Sequence, residues 1–140
     1  MKKKVIAVIT IAFLAITGTA TGASALTSSR ACTVNGYAAT NMIDYQLSGT
    51  DWMIYYITYQ YSPYNALSTH NNLNERMYNS SGTMLYSYNS MDNLIRDGEM
   101  YSAHYFTNPL KFSIGYKLQL INIIDVPNAS DPQCATTFQR

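Results

Sequence analysis

The sequence predicts an all-β fold, an antiparallel two-sheet β-sandwich of about seven strands. Three observations lead there. Past residue 25 no stretch keeps the apolar period of an amphipathic helix. Short runs rich in β-branched and aromatic residues recur instead, cut by clusters of Asn, Ser, Gly, Asp and Pro. Charged residues make up only 12% of the 140-residue chain and aromatic residues 13%, with 13 tyrosines. That composition excludes a charge-rich disordered tail, a polybasic nucleic-acid binder and an Ala/Glu/Lys-rich helical bundle.

The N-terminal segment is an address. Lys2, Lys3 and Lys4 precede an apolar run from Val5 to Ile16, and a small-residue stretch ends in Ala23-Ser24-Ala25. This three-part layout is that of a secretory signal peptide, over 1–25, cleaved after Ala25. The run is shorter than the ~20 apolar residues of a membrane-spanning helix. One domain, 26–140, is left, exported to the cell envelope or the medium. Removing the three leader lysines leaves six basic against eight acidic side chains, a net charge of −2.

The strands are expected at 31–39, 42–47, 52–61, 73–78, 83–89, 100–107 and 111–125. Ser48-Gly49-Thr50-Asp51 separates the second from the third, and Pro63 ends the third. Asn79-Ser80-Ser81-Gly82 is a hairpin turn, and one short helical turn is expected within 91–97. Asn108-Pro109 and Pro127 close the last two strands, and the tail reads as irregular. The seventh strand alternates most cleanly, with Phe112, Ile114, Tyr116, Leu118 and Leu120 on one face. Beyond it Ile121, Ile123 and Ile124 imply burial on both faces or a bulge.

Cys32 and Cys134 lie near the two ends of the exported chain. In an oxidising compartment such a pair reads as a disulfide that brings the first and last strands side by side. Closing a loop of about 100 residues is worth up to ~4.7 kcal/mol in the chain-entropy account.

Part of the chain resembles an immunoglobulin-like sandwich. Trp52 opens the third strand, where that fold carries a buried Trp, and Asp97-Gly98-Glu99-Met100-Tyr101 resembles its tyrosine corner. Gly115-Tyr116-Lys117-Leu118-Gln119-Leu120 is similar to a final strand of that fold. The chain departs from the pattern at Ala103, where antibody domains carry the second cysteine, and in its terminal cysteines.

Catalytic motifs are absent: there is no nucleophile elbow, zinc-protease helix or phosphate loop. His70 and His104 read as ordinary satisfied or surface histidines, which disfavours a hydrolase. Asp92, Asp97 and Glu99 read as turn-capping carboxylates, with a Ca²⁺ ion as the alternative. No cofactor or metal is implied. Asn79-Ser80-Ser81 and Asn128-Ala129-Ser130 fit the glycosylation sequon.

Tyrosine carries the functional expectation. Alternation along the third strand puts Trp52, Ile54 and Tyr56 on one face and Met53, Tyr55, Ile57, Tyr59 and Tyr61 on the other. With the first face in the core, Tyr55, Tyr59 and Tyr61 share a recognition face on which each two-residue step is about 6.6 Å, and Tyr64 follows as the fourth candidate contact. Tyrosine gives a stiff, amphipathic contact at low entropic cost. The expectation is a non-catalytic binding module for a glycan, a cell-wall polymer or a protein surface. A membrane-active, bacteriocin-like effector and an envelope-associated structural subunit are the alternatives. The Asn-rich loop over 68–74 is the second candidate surface.

The exported protein is expected to begin at Leu26 and to carry the Cys32–Cys134 bond. Intact mass and thiol alkylation of the native protein check both: a retained leader, or two alkylatable thiols, refutes them.

Overall fold

The computed structural model describes residues 25–64 and 68–140. The expected leader, 1–25, falls outside them except for Ala25. Eight strands are present: β1 (Leu26–Val34), β2 (Tyr37–Ser48), β3 (Asp51–Ser62), β4 (Asn72–Tyr78), β5 (Met84–Asn89), β6 (Tyr101–Phe112), β7 (Lys117–Ile123) and β8 (Gln133–Gln139). They form two antiparallel four-stranded sheets, ordered β1-β2-β3-β6 and β5-β4-β7-β8. The sandwich is therefore as the sequence predicts.

The eighth strand arises from local chemistry at the two ends of the domain. The expected strand 31–39 is a hairpin, not one strand. Asn35 and Gly36 both take positive φ, 51° and 82°, and Val34 pairs with Tyr37 across them. A two-residue loop of that conformation is the favoured turn between twisted strands. At the other end the tail is a regular strand, β8, paired along its whole length with β7. The expected strand 111–125 is also divided. Phe112 closes β6, the Tyr116 N–H donates to the Ser113 carbonyl at 3.0 Å, and Ile114 stands 64% exposed in that turn. The alternation from Phe112 to Tyr116 thus crosses a turn. No helical turn forms within 91–97; that segment is extended and bridges Asn71 through Leu94.

The resemblance to an immunoglobulin sandwich extends to the two-sheet architecture and not to the strand order. Here β1, β2 and β3 are a meander in one sheet, whereas the third strand of that fold lies opposite the first two. The corner tyrosine has a counterpart, Tyr101, whose hydroxyl donates to the Asp97 carboxylate instead of to backbone.

The sheets stack with β1 over β8, β2 over β7 and β3 over β4, as the ties between them show. Cys32 of β1 is bonded to Cys134 of β8, with Cα atoms 5.9 Å apart. The two strands face each other across the layers and share no ladder, so the disulfide fastens sheet to sheet. Between β2 and β7, Asn41 and Asn122 exchange amide hydrogen bonds of 3.1 and 2.9 Å, and the Thr136 hydroxyl adds one of 2.7 Å to Asn41. The Tyr61 hydroxyl donates to the Asn72 carbonyl at 3.0 Å, joining β3 to β4. Around these ties pack Ile43, Ile54, Ile57, Leu118, Leu120 and Phe138, each at most 1% exposed. Trp52 is half-buried at the margin of this core, against Tyr45 at 4.2 Å and Phe112 at 5.7 Å.

In β7 the two-residue period continues past Leu120, because Leu118, Leu120, Asn122 and Ile124 are all fully buried. A polar residue occupies the core-facing position at 122, where its amide is satisfied by Asn41 and by the Cys134 carbonyl at 3.4 Å. Removing one partner of such a pair leaves the other desolvated and unbonded. Asn122→Ala is expected to cost about 1–3 kcal/mol of unfolding free energy. Denaturant unfolding of the oxidised protein measures it; a midpoint equal to wild type refutes the role of the amide pair.

Candidate functional site

Tyr55 is the extra residue of a bulge in β3. The register with β2 runs Asp44↔Tyr56 and then Tyr45↔Ile54, leaving Tyr55 without an opposite number. The bulge reverses the phase of alternation. Ile54 points inward before it, and Ile57, Tyr59 and Tyr61 point inward after it.

The expected row is corrected accordingly. Tyr59 and Tyr61 are core residues, 3% and 0% exposed. The Tyr59 hydroxyl accepts the Ile95 N–H at 3.0 Å. Burial pushes both phenol pKa values up. Tyr55 is half-buried on the exterior and its hydroxyl donates to the Gln46 side-chain oxygen at 3.4 Å. Tyr64 is 66% exposed, beyond the end of the strand. Of the four residues, the structure leaves Tyr55 and Tyr64 outside and does not bring them into one row.

Tyr56, assigned to the core by simple alternation, is 42% exposed on the outer face. It pairs across the ladder with Tyr105 of β6, 56% exposed, their ring centroids 4.9 Å apart and inclined at 32°. Beside them is a recess of about 370 Å³, lined by Ala25, Asp44, Tyr45, Gln46, Tyr55 and Tyr56. Desolvation holds the Asp44 carboxyl above its ordinary range.

A second concavity, about 360 Å³, opens at the edge opposite the disulfide, between β6 and the 88–95 segment. Tyr59, Tyr88, Tyr101, Ser90, Asn93 and Ser102 are among its lining residues. His104 lies behind it, between the Tyr88 ring at 4.3 Å and the Phe106 ring at 4.1 Å. Its Nδ1 is 2.9 Å from Glu75 Oε2, and the Tyr86 hydroxyl donates to that same oxygen at 2.8 Å. Glu75 is fully buried and its Oε1 has no partner among the described residues. An irregularity where Ile57 faces His104 and Thr58 faces Ser102 turns both Tyr101 and His104 inward. The trio ties β4 and β5 of one sheet to β6 of the other. Among the described residues the side-chain hydrogen bonds of His104 go to Glu75 and Tyr86, and no serine, threonine or cysteine joins them.

Of the expected 68–74 loop, 72–74 is the start of β4, and the residues before it are fastened to neighbouring segments. Asn71 is fully buried: its side-chain oxygen accepts the Asp125 N–H at 2.9 Å, and its amide donates to the Leu94 carbonyl at 2.7 Å. His70 is exposed on it. Asp97 accepts the Tyr101 hydroxyl and the Glu99 N–H, which hold its carboxyl below the usual range. The same bond pushes the Tyr101 phenol up to about 12. No group of three metal-ligating side chains occurs among the described residues.

Comparison with family models, with curated proteins and with solved structures found no match to this chain.

Glu75 yields a pH prediction. Burial raises its pKa above the ordinary 4.5, against the lowering effects of His104, Tyr86 and Arg76. An acid whose folded pKa is raised contributes stability that is fully present below its unfolded value. That contribution is lost as pH rises through the folded value. Unfolding free energy is therefore expected to carry a downward component above pH 4.5, and Glu75→Gln to remove it. Denaturant midpoints of the two proteins from acid to neutral pH check this; parallel profiles refute it.

Proposed function

We propose that this protein is an exported, non-catalytic binding module whose outer aromatic face, centred on Tyr56 and Tyr105, contacts a glycan or cell-wall polymer. The observation that carries the reading is the pairing of two large, half-exposed tyrosine rings across the β3–β6 ladder. Isolated exposed apolar side chains need no explanation; a stacked pair beside an apolar recess is less ordinary. Tyrosine faces suit the C–H faces of sugar rings, and the Gln46 and Tyr55 polar groups at the rim suit hydroxyls. Export is supported by the leader pattern and by the Cys32–Cys134 disulfide. No helix of the described residues is long and apolar enough to cross a membrane.

One observation favours assembly as a second reading. The edge strand β5, Met-Leu-Tyr-Ser-Tyr-Asn, carries no charge, and its Met84 and Leu85 are 52% and 48% exposed. Uncharged edge strands invite pairing with another chain.

The test is a pull-down panel of insoluble peptidoglycan, neutral oligosaccharides and liposomes. Binding to a carbohydrate is expected, with Tyr56→Ala and Tyr105→Ala each weakening it about 5- to 150-fold, the range of an aromatic hot spot. Melting temperature is expected to stay near wild type, since neither ring is in the core. Failure to bind any carbohydrate, or unchanged affinity in both variants, overturns the reading. Retention by liposomes alone identifies a membrane-directed protein instead.

A further inference from the structure

We propose that export processing creates an ion pair: the α-ammonium released at Leu26 by cleavage after Ala25 is held by the Asp44 carboxylate, fixing the start of β1. The inference rests on the leader reading above, and it concerns what that cleavage does to the folded domain.

Hydrolysis of the Ala25–Leu26 amide consumes one water. It leaves a carboxylate on the departing Ala25 and a new amine on Leu26, protonated at neutral pH. In the structure Leu26 is the first residue of β1 and pairs with Tyr45, while the next residue, Thr27, pairs with Asp44. Residues opposite each other share a face of the sheet, so Asp44 and Ala25 belong to the outer face with Thr27. Ala25 and Asp44 indeed line the same recess. The new cation is therefore created one rung from Asp44, at the mouth of the cavity whose wall Ala25 forms.

Asp44 is the group that lacks a partner. It is half-buried, enters neither ion pair of the described residues, and receives no side-chain hydrogen bond there. Burial alone raises its pKa, with no hydrogen bond or cation acting against it. The groups facing it across the recess are Tyr45, Gln46, Tyr55 and Tyr56, none of them cationic. A desolvated carboxylate is costly unless compensated. A terminal ammonium supplies the compensation without a lysine or arginine in the strand.

The pair also has a consequence for the site. Loss of Ala25 takes away one wall and opens the recess beside Tyr55 and Tyr56. β1, an edge strand, is otherwise fastened between sheets at Cys32, six residues from its start.

The full chain, exported from a host with a secretory pathway, gives the test. Its N-terminus is read by intact mass, and its α-amine is labelled by ¹³C reductive methylation and titrated by NMR. With Leu26 as first residue, the amine is expected to titrate about one unit or more above its value in Asp44→Asn, where the ordinary range near 7.7–8.0 returns. A chain retaining Ala25 as its first residue, with the amine moved outward by about 3.3 Å, is expected to fall between them. An N-terminus other than Leu26 defeats the leader reading. A Leu26 terminus whose amine titrates identically in wild type and Asp44→Asn defeats the pair alone, as does an Asp44 carboxyl that stays raised in the processed protein.

Discussion

Two residues of β3, Tyr55 and Tyr56, occupy the interval in which β2 advances by one, and the whole aromatic distribution turns on that bulge. Before it the inward phase is Trp52 and Ile54; after it the phase is Ile57, Tyr59 and Tyr61. Without the extra residue, Tyr56 would enter the core and Tyr59 and Tyr61 would face water. The neighbouring ladder answers in kind. Between Ile54↔Leu110 and Tyr56↔Tyr105, β6 spends Phe106 to Pro109 against Tyr55 alone. Asn108 and Pro109 sit in that stretch, where a missing N–H costs least. The bulge thus builds the exterior tyrosine pair and the interior tyrosine pair in one step.

Interior tyrosines bring hydroxyls into the core, and the polar layer between the sheets accommodates them. Tyr61 reaches a carbonyl of β4, and Tyr59 accepts an N–H from the segment that closes the β6 edge. Asn41, Asn122 and Thr136 satisfy one another beneath the disulfide. Each such bond has a net worth of only about 0.5–1.5 kcal/mol. Its larger effect is on register, because a slip of one residue would strand several buried polar groups at once. Apolar packing opposes the same slip, because it would turn each strand's buried apolar set toward solvent.

The sandwich class, the disulfide and the buried positions of Leu118 and Leu120 were legible because they depend on composition and on local alternation. Asn35-Gly36 was equally legible, since that dipeptide is the strongest short hairpin signal, yet the apolar run around it reads as one strand. The division at Ser113-Ile114-Gly115 was hidden by an alternation that continues through the turn. The exterior of β3 was not legible. A bulge is settled by what two neighbouring strands need from each other, and every residue from Trp52 to Ile57 is aromatic, Ile or Met, so either phase looks apolar. The Glu75–His104–Tyr86 trio likewise joins three strands that are distant in sequence. Only a carboxylate at an inward position, Glu75 between Leu73 and Met77, marks it.

The fastenings divide unequally between the two edges of the sandwich. At the β1–β8 edge a covalent bond lies over a satisfied amide pair. At the β5–β6 edge the ties are a buried carboxylate with one orphaned oxygen and an uncharged strand with exposed Met84 and Leu85. Arg96, 2% exposed, lies in the segment before β6 with its guanidinium over the Tyr37 ring at 4.8 Å, Nε and Nη1 unpartnered among the described residues. Buried charge without full compensation subtracts from stability where it sits. Local opening follows the weakest fastenings, and binding surfaces are commonly drawn from such regions. The concavity lined by Tyr88 and Tyr101 opens at this second edge, while the Tyr56–Tyr105 pair stands on the outer face of β3 and β6. The proposed contact therefore spans both kinds of strand: Tyr56 stands on the inner strand β3, backed by its ladder with β2, and Tyr105 on the edge strand β6.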